Sequence, residues 1–152
     1  MRLILLALAG SLVAAAPAMA NETRVEAHTG VIWNHGTTDA TAGVAAGYDF
    51  NLGPAFAGAE VSADKILNGS TNKVSVGVVG RLGAGFLGTK AYALGGYATE
   101  PCSGCAGAWQ VGGGIQKSFL MKFYGKLEYR HYMSDDNFPN ADAVTVGAGV
   151  KF

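Results

Sequence analysis

Apolar and polar residues alternate along most of the chain after residue 20, in runs of about ten residues that indicate β-strands. In the last run, the apolar positions from Val144 to Phe152 alternate with Thr, Gly and Lys. In the run before it, Leu127 and Tyr129 share one face, whereas Lys126 and Glu128 share the other. The alternation predicts eight strands, over residues 24–33, 41–50, 55–64, 73–82, 90–99, 108–117, 123–132 and 143–152.

The connections between these runs differ in length and composition. Compact turns over 51–54, 83–89 and 118–122 follow the second, fourth and sixth runs. Mostly longer connections, richer in Asn, Asp, Ser and Thr, follow the odd runs over 34–40, 65–72, 100–107 and 133–142. The chain also contains 23 glycines, and each would cost about 1 kcal/mol relative to Ala inside a helix. The pattern predicts an all-β fold, an eight-stranded antiparallel up-and-down β-barrel.

The first twenty residues have the composition of a cleavable secretory signal. Arg2 is followed by an apolar stretch over 3–16, which is too short to span a bilayer as a helix. Ala18 and Ala20 then supply the small residues that a signal peptidase recognises, and no Cys follows to indicate a lipoprotein. We therefore expect residues 1–20 to be removed and residues 21–152 to form one domain.

Charge is sparse and balanced in this chain. Charged residues make up 14% of it, against about 25% in an ordinary soluble domain. Lys and Arg number 11, as do Asp and Glu, which gives no electrostatic reason to expect a nucleic-acid partner. Hydrophobic residues reach 49% without a transmembrane-helix-length run after residue 20, so they are spread over alternate positions, as in a membrane barrel.

Alternation alone does not decide whether the apolar face meets lipid or lines a core, and a soluble lipocalin-like barrel is the competing fold. Charges of both signs at mid-strand positions favour lipid outside, because the interior of an eight-stranded barrel is just wide enough to be filled by side chains. Paired charges are tolerated there. The predicted lumen network comprises Arg24, Glu26, Glu60, Arg81, Lys126, Glu128 and Arg130, with Asp64 and His28 on the same face.

Aromatic residues at the predicted strand ends also favour lipid, because aromatic rings prefer the two membrane–water interfaces. We expect Trp33 and Trp109 to form a belt at the loop end. The turn-end belt is expected to contain Phe50, Phe123 and Phe152, with Tyr48 and Tyr92 close by. Phe152 also ends the last alternating strand, where a terminal aromatic resembles the insertion signal of outer-membrane proteins.

Several segments resemble the outer-membrane-protein β-barrel family of opacity-type surface proteins and relatives of the OmpA membrane domain. The segments are 126–131 (KLEYRH) with the closing strand 144–152, and also 42–49 and 92–97. The resemblance covers nearly the whole predicted mature chain and implies a non-enzymatic surface protein with a role in envelope integrity, adhesion or limited solute passage. It specifies no substrate, and we expect no OmpA-type peptidoglycan-binding domain after residue 152.

Two features invite chemistry. Cys102 and Cys105 lie in a predicted loop of an exported chain, and we expect a disulfide between them, since neither haem attachment nor a zinc site has the additional ligands it needs. His131 and Ser134 invite comparison with eight-stranded barrels that deacylate lipid A. In those lipases the His and the Ser lie two positions apart on one strand face, whereas here Tyr132 and Met133 intervene, so the spacing departs from the lipase pattern. We expect no catalytic residue, cofactor or metal.

The predicted function is structural or surface-interacting, with a narrow solute channel as the alternative and a lipid A acyl hydrolase third. The expected location is the bacterial outer membrane, with both termini periplasmic because the strand number is even. The expected partners are the lipid bilayer and its lipopolysaccharide, the barrel-assembly machinery during insertion, and an unidentified surface partner bound through the loops.

Overall fold

A computed structural model describes residues 21–67, 73–99, 107–134 and 139–152. Each strand pairs antiparallel with its neighbours in the sequence, and β1 pairs with β8 to close the barrel. No helix in these four ranges is long and apolar enough to cross a membrane. The strands are β1 (Glu22–Asn34), β2 (Thr37–Leu52), β3 (Ala55–Ile66), β4 (Ser75–Phe86), β5 (Thr89–Ala98), β6 (Ala108–Phe119), β7 (Phe123–Ser134) and β8 (Ala141–Lys151).

The predicted eight-stranded barrel is confirmed. The register between neighbouring strands places outward side chains beside outward side chains and inward side chains beside inward ones. Leu127 on β7 lies opposite Val146 on β8 and Ile115 on β6, and all three are exposed. The next residue, Glu128, points to the other side and is buried. Because side chains alternate with a period of two, a one-residue shift would exchange the two faces of a strand.

The first long connection predicted from the sequence, over 34–40, is wrong. β1 continues to Asn34 and β2 begins at Thr37, so that only His35 and Gly36 form the turn. Threonine fits well in a strand, and backbone pairing does not require an apolar face. The hairpin therefore extends past the alternating region, where its polar residues had suggested a loop.

The predicted end of the fourth strand at Leu82 is also wrong, because β4 continues to Phe86. The glycines in the 83–89 segment suggested a turn, yet Gly83 lies inside the strand. A Cβ there would collide with the carbonyl oxygen of Ala91 and lie 2.7 Å from the Cβ of Tyr92. Glycine is thus present because β5 approaches closely, and the turn is reduced to Leu87 and Gly88.

Two of the short turns contain large apolar residues with left-handed backbone angles. Leu87 has φ of 49° and is followed by Gly88 with φ of 76°, which matches the positive values of a type I′ hairpin turn. In the β6–β7 turn, Leu120 and Met121 have φ of 48° and 58°. This conformation costs an L-residue about 1–2 kcal/mol relative to the right-handed region.

The burial pattern is the reverse of that of a soluble domain. Nearly all the largest fully buried side chains in the described ranges are polar, whereas large apolar side chains cover the outside. A charged interior within an apolar exterior is typical of a barrel that meets hydrocarbon. The largest fully buried side chains are Arg24, Tyr124, Phe56, Gln110, Gln116, Glu60, Glu128 and Asp49.

Candidate functional site in the barrel lumen

Glu60 on β3 is the centre of the buried charge cluster. Its Oε2 lies 2.6 Å from Nη1 of Arg24 and 3.5 Å from Nη1 of Arg81. Its Oε1 lies 2.8 Å from Nη2 of Arg130 and 3.6 Å from Nζ of Lys126. The four cations come from β1, β4 and β7, so one carboxylate joins three other strands across the lumen.

Three further carboxylates balance these cations. Lys126 contacts Glu26 and lies 3.3 Å from Oε2 of Glu128. Nε of Arg130 lies 2.5 Å from Oε1 of Glu128, and Nε of Arg24 lies 3.6 Å from Oδ2 of Asp49. All these groups are buried. Since an uncompensated buried charge is costly, equal numbers of acids and bases make such a filled lumen tolerable.

Tyrosine and glutamine side chains complete the packing around the cluster. The hydroxyl of Tyr92 donates to Glu128 at 2.6 Å, and that of Tyr124 donates to Glu26 at 2.7 Å. The guanidinium of Arg81 lies over the ring of Tyr92, 3.8 Å from its centroid, in a cation–π contact, and donates to Gln116. The predicted placement of Tyr92 outside the barrel is therefore wrong. In β5 the Ala and Gly residues flanking Tyr92 provided no contrast between the two faces.

Above the cluster, towards the loop end, the lumen widens into a cavity of about 130 Å³, here called the vestibule. His28, Asp64 and Arg130 line it, as do Gln110 and Ser62. Nε2 of His28 lies 2.5 Å from Oδ1 of Asp64, and the hydroxyl of Ser62 donates to Oδ2 of Asp64 at 2.8 Å. The vestibule is polar at its floor and begins where the charge cluster ends.

The three residues His28, Asp64 and Ser62 do not have the order of a hydrolase triad. Asp64 lies between the other two, so His28 contacts the acid and not the hydroxyl that it would have to deprotonate. On β7, Ser134 lines the vestibule. His131 is on the opposite face of that strand and contacts the outward-facing Asp142 at 2.7 Å. Neither arrangement activates a serine.

At the turn end, Glu22 closes the lumen with two lysines. Its Oε1 lies 3.0 Å from Nζ of Lys90, and its Oε2 lies 3.0 Å from Nζ of Lys151. Lys90 also lies 3.1 Å from Oδ2 of Asp49, and its Nζ lies over the ring of Phe56. The lumen is thus filled with paired groups from the charge cluster to the turn end. In the described part of the chain, no group of three or more His, Cys, Asp or Glu could hold a metal ion.

The structure places all seven predicted lumen residues inside the barrel, and each has an oppositely charged partner. Sequence reasoning did not single out Asp49, Gln110, Gln116 or Tyr124, although they share faces with residues that it did. Counting alternate positions from Lys126 on β7 reaches Tyr124. On β2 and β6, the predicted outward positions of Phe50 and Trp109 would have placed Asp49, Gln110 and Gln116 on the inner face. The two cysteines expected to form a disulfide, Cys102 and Cys105, lie outside the described residues, as does the predicted signal over 1–20.

The five predicted belt aromatics all face outward. Trp109 packs edge-on against Tyr97 at 5.5 Å near the loop end, and Trp33 lies at the same end. Phe50, Phe123 and Phe152 lie at the turn end, where Phe50 packs against Tyr48 at 4.7 Å. Two levels of aromatic residues therefore border the apolar exterior.

Glycines on the lumen side make room for the large charged and aromatic side chains, and this gives a first prediction. A Cβ on Gly149 would lie 2.7 Å from the ring of Tyr124 and 2.8 Å from the Cβ of Glu26. We expect Gly149→Ala to lower the free energy of unfolding by about 1–3 kcal/mol, as overpacking does elsewhere. Urea titration of the protein inserted in vesicles, followed by tryptophan fluorescence, measures this.

Gly80→Ala is the matched control. Gly80 faces outward, and the nearest atom to a Cβ there is the carbonyl oxygen of Gly95 at 3.8 Å. Because Ala restricts the unfolded chain more than Gly does, this change should leave stability unchanged or raise it slightly. A loss at Gly80 equal to that at Gly149 would mean that lumen crowding is not the cause.

The fold resembles solved structures of small bacterial barrels. The N-terminal β-barrel domain of Pseudomonas aeruginosa OprF superposes with a TM-score of 0.62 at 13% identity, covering 86% of this chain and 97% of that one. Neisserial surface protein A (NspA) superposes with a TM-score of 0.58 at 11% identity, covering 90% and 100%. Ail, the attachment invasion locus protein of Yersinia pestis, in complex with the heparin analogue sucrose octasulfate, superposes with a TM-score of 0.61 at 15% identity, covering 88% and 100%.

No protein-family model matches the sequence, and no curated protein is significantly similar to it. The likeness is one of fold, at identities too low to carry a function. The chain has the fold of small eight-stranded outer-membrane β-barrels.

Proposed function

We propose that this protein is an outer-membrane barrel with a plugged lumen, which anchors surface-exposed loops and has a structural or surface-interaction role without catalysis. The observation that carries the proposal is the balanced charge cluster around Glu60, enclosed by an apolar exterior. Such a barrel is unsuited to water on its outside and has little room for a solute at its middle. The functional parts would then be the connections at the loop end.

The proposed orientation places the loop end at the cell surface and both termini in the periplasm, and predicts selective labelling. With Cys102 and Cys105 replaced by Ser, we would introduce one cysteine, either Asn140→Cys at the loop end or Lys122→Cys at the turn end. Both positions are exposed. A polyethylene glycol maleimide too large to cross the outer membrane should modify the first variant in intact cells and the second only after permeabilisation. If intact cells allowed labelling of the Lys122→Cys variant alone, the orientation would be opposite to the one proposed.

The partners that fit this proposal are the bilayer, its lipopolysaccharide, the barrel-assembly machinery and an unidentified surface ligand. The similarity to Ail, solved with a heparin analogue, supports a search for surface ligands among polyanions as well as proteins. A secretory signal over residues 1–20, an insertion signal at Phe152, and a disulfide between Cys102 and Cys105 remain part of the proposal.

A lipid A hydrolase is disfavoured because His131 and Ser134 face opposite sides of β7. An altered lipid A acyl pattern in expressing cells would reinstate it.

A narrow channel is the second candidate, favoured by the vestibule alone. The vestibule ends on Arg130, which is held by Glu60 and Glu128, so we expect no open path beyond it. Planar-bilayer recording of the purified protein should therefore show no reproducible conductance steps. Regular steps that scale with salt concentration, and that change when Glu60 is replaced, would establish the channel.

A further inference from the structure

The end of the barrel that carries the short turns is apolar at its outermost points. Leu87, Leu120 and Met121 are exposed to 83%, 86% and 91% in the described structure. They occupy positions at the very tips of two turns, where a hairpin in water normally has Asn, Asp or Gly. The turn-end cap, as we call it, comprises Leu52, Phe86, Leu87, Leu120, Met121 and Phe123.

The cap is held in place by the backbone. The amide of Gly85 donates to the carbonyl of Pro54 at 2.7 Å, and that of Ser118 donates to the carbonyl of Gly88 at 2.8 Å. The amide of Lys151 donates to the carbonyl of Lys122 at 2.7 Å. Each turn is therefore joined to the next strand end around the rim. The apolar tips are thus held outward by a continuous hydrogen-bonded rim.

The spacing between the cap and the loop-end aromatics matches the apolar layer of a bilayer. Tyr97 and Leu87 are ten residues apart along one hairpin arm, as are Trp109 and Phe119 on β6. A strand tilted by about 45° rises about 2.4 Å per residue along the membrane normal, so ten residues span about 24 Å. The outward apolar band of a membrane barrel is about 25 Å tall. If the loop-end aromatics mark one interface, the turn tips lie at the other.

The two ends of the barrel differ in how far their turns extend beyond the apolar exterior. Beyond Trp33 the β1–β2 hairpin continues through Asn34, His35 and Thr37, which are polar and exposed. That hairpin extends outside the apolar layer, whereas no described turn at the opposite end does so. The barrel is therefore placed asymmetrically with respect to its apolar exterior.

The charges beside the cap favour anionic headgroups. Lys117 and Lys122 are exposed and form no ion pair with a described residue. The acidic side chains at this end, Glu22 and Asp49, are already paired with Lys90 and Lys151 inside the rim. Two available lysines next to exposed leucine and phenylalanine are typical of a surface that enters a negatively charged lipid interface.

We propose that the turn-end cap is sunk into the headgroup region of an anionic phospholipid leaflet, with its leucines and Met121 among the acyl chains and Lys117 and Lys122 on the lipid phosphates. This inference rests on the proposed membrane-spanning function and adds the depth of the barrel and the lipid class at one end. Neither a periplasmic protein nor a second copy of the chain is needed to cover the cap.

Fluorescence quenching by brominated acyl chains tests the depth. In a Trp33→Phe, Trp109→Phe background, a single tryptophan is placed by Leu120→Trp, or by Leu87→Trp should the first variant fold poorly. In vesicles of brominated phosphatidylethanolamine and phosphatidylglycerol, the tryptophan should lose most of its emission. A His35→Trp control at the polar hairpin tip should keep its emission. An unquenched tryptophan at both turn tips would overturn the proposal.

The native protein separates this failure from failure of the proposed function. Trp33 and Trp109 in the unaltered chain should be quenched whenever the barrel spans the vesicle membrane. Quenching there without quenching at Leu87→Trp or Leu120→Trp leaves the barrel in the membrane and refutes the buried cap. Absence of quenching at every position refutes membrane insertion itself.

Lipid selectivity is tested by brominating one lipid class at a time. Brominated phosphatidylglycerol should quench the Leu120→Trp reporter more than an equal fraction of brominated phosphatidylethanolamine. Lys117→Gln with Lys122→Gln should abolish that preference, whereas Lys65→Gln with Lys73→Gln at the loop end removes equal charge and should leave it intact. Equal quenching by both lipids in the parent reporter would refute the anionic contact.

Discussion

Replacement of Glu60 by Gln is expected to lower the free energy of unfolding by about 3–5 kcal/mol, the usual cost of removing one partner from a buried ion pair. Gln keeps the shape of the side chain but leaves Arg24 and Arg130, at 2.6 and 2.8 Å, without their carboxylate. Lys126 and Arg81 lose the same partner. The measurement is urea titration of the vesicle-inserted protein, read by tryptophan fluorescence.

Asp142→Asn is the matched control for Glu60→Gln. It also converts an acid to its amide, and it also removes a partner of hydrogen-bond donors, Tyr129 and His131. Those groups face outward near the loop end, where water can replace the lost interaction. The control should therefore lose much less stability. Equal losses would indicate that the lumen is hydrated and that the Glu60 cluster is not a buried plug.

Val146→Arg is expected to destabilise the inserted barrel by about 2–4 kcal/mol, the cost of Arg near the midplane on a lipid-facing surface. Val146 is exposed and lies at the middle of β8, opposite Leu127 on β7 and Thr29 on β1. Neither of these two neighbours is charged, and the hydroxyl of Thr29 already donates to the carbonyl of Thr41 at 2.8 Å. The same vesicle titration measures the change.

Val74→Arg makes the same substitution just before β4, close to the loop-end interface. Because the cost of a charge falls towards the interface, we expect a loss of about 0–1 kcal/mol. A depth-dependent difference between these two valines requires hydrocarbon around the barrel. If both variants were equally stable, the outer face would be in contact with water or protein.

Most of the architecture could be predicted from the sequence where large apolar residues alternate with charged ones. β7 and β8 have that contrast, and their faces are as predicted. This contrast is lost where the side chains on both faces of a strand are small, as they are around Tyr92 in β5. The ring of Tyr92 was therefore assigned to the wrong face. The contrast is also lost beyond Trp33, where the β1–β2 hairpin needs only backbone pairing and its Thr residues resembled a loop.

The membership of the lumen cluster could be predicted, whereas its connectivity could not. Alternation places Arg24, Glu60 and Arg130 on inner faces, but it does not say that one acid meets four bases. That contact depends on how far the strands are staggered when the sheet closes. The stagger places Glu60 on β3 at the level of Arg130 on β7, which is 70 positions later in the sequence. Stagger is a property of the whole barrel and has no local pattern.

The most direct test of the central claim, that hydrocarbon surrounds the apolar face, is folding from urea with and without lipid. The chain over 21–152 is diluted into plain buffer or into buffer with phospholipid vesicles, and its gel mobility is compared before and after boiling. We predict a β-rich species that changes mobility on boiling only when vesicles are present. A monomeric, folded β-protein in plain buffer would contradict the account.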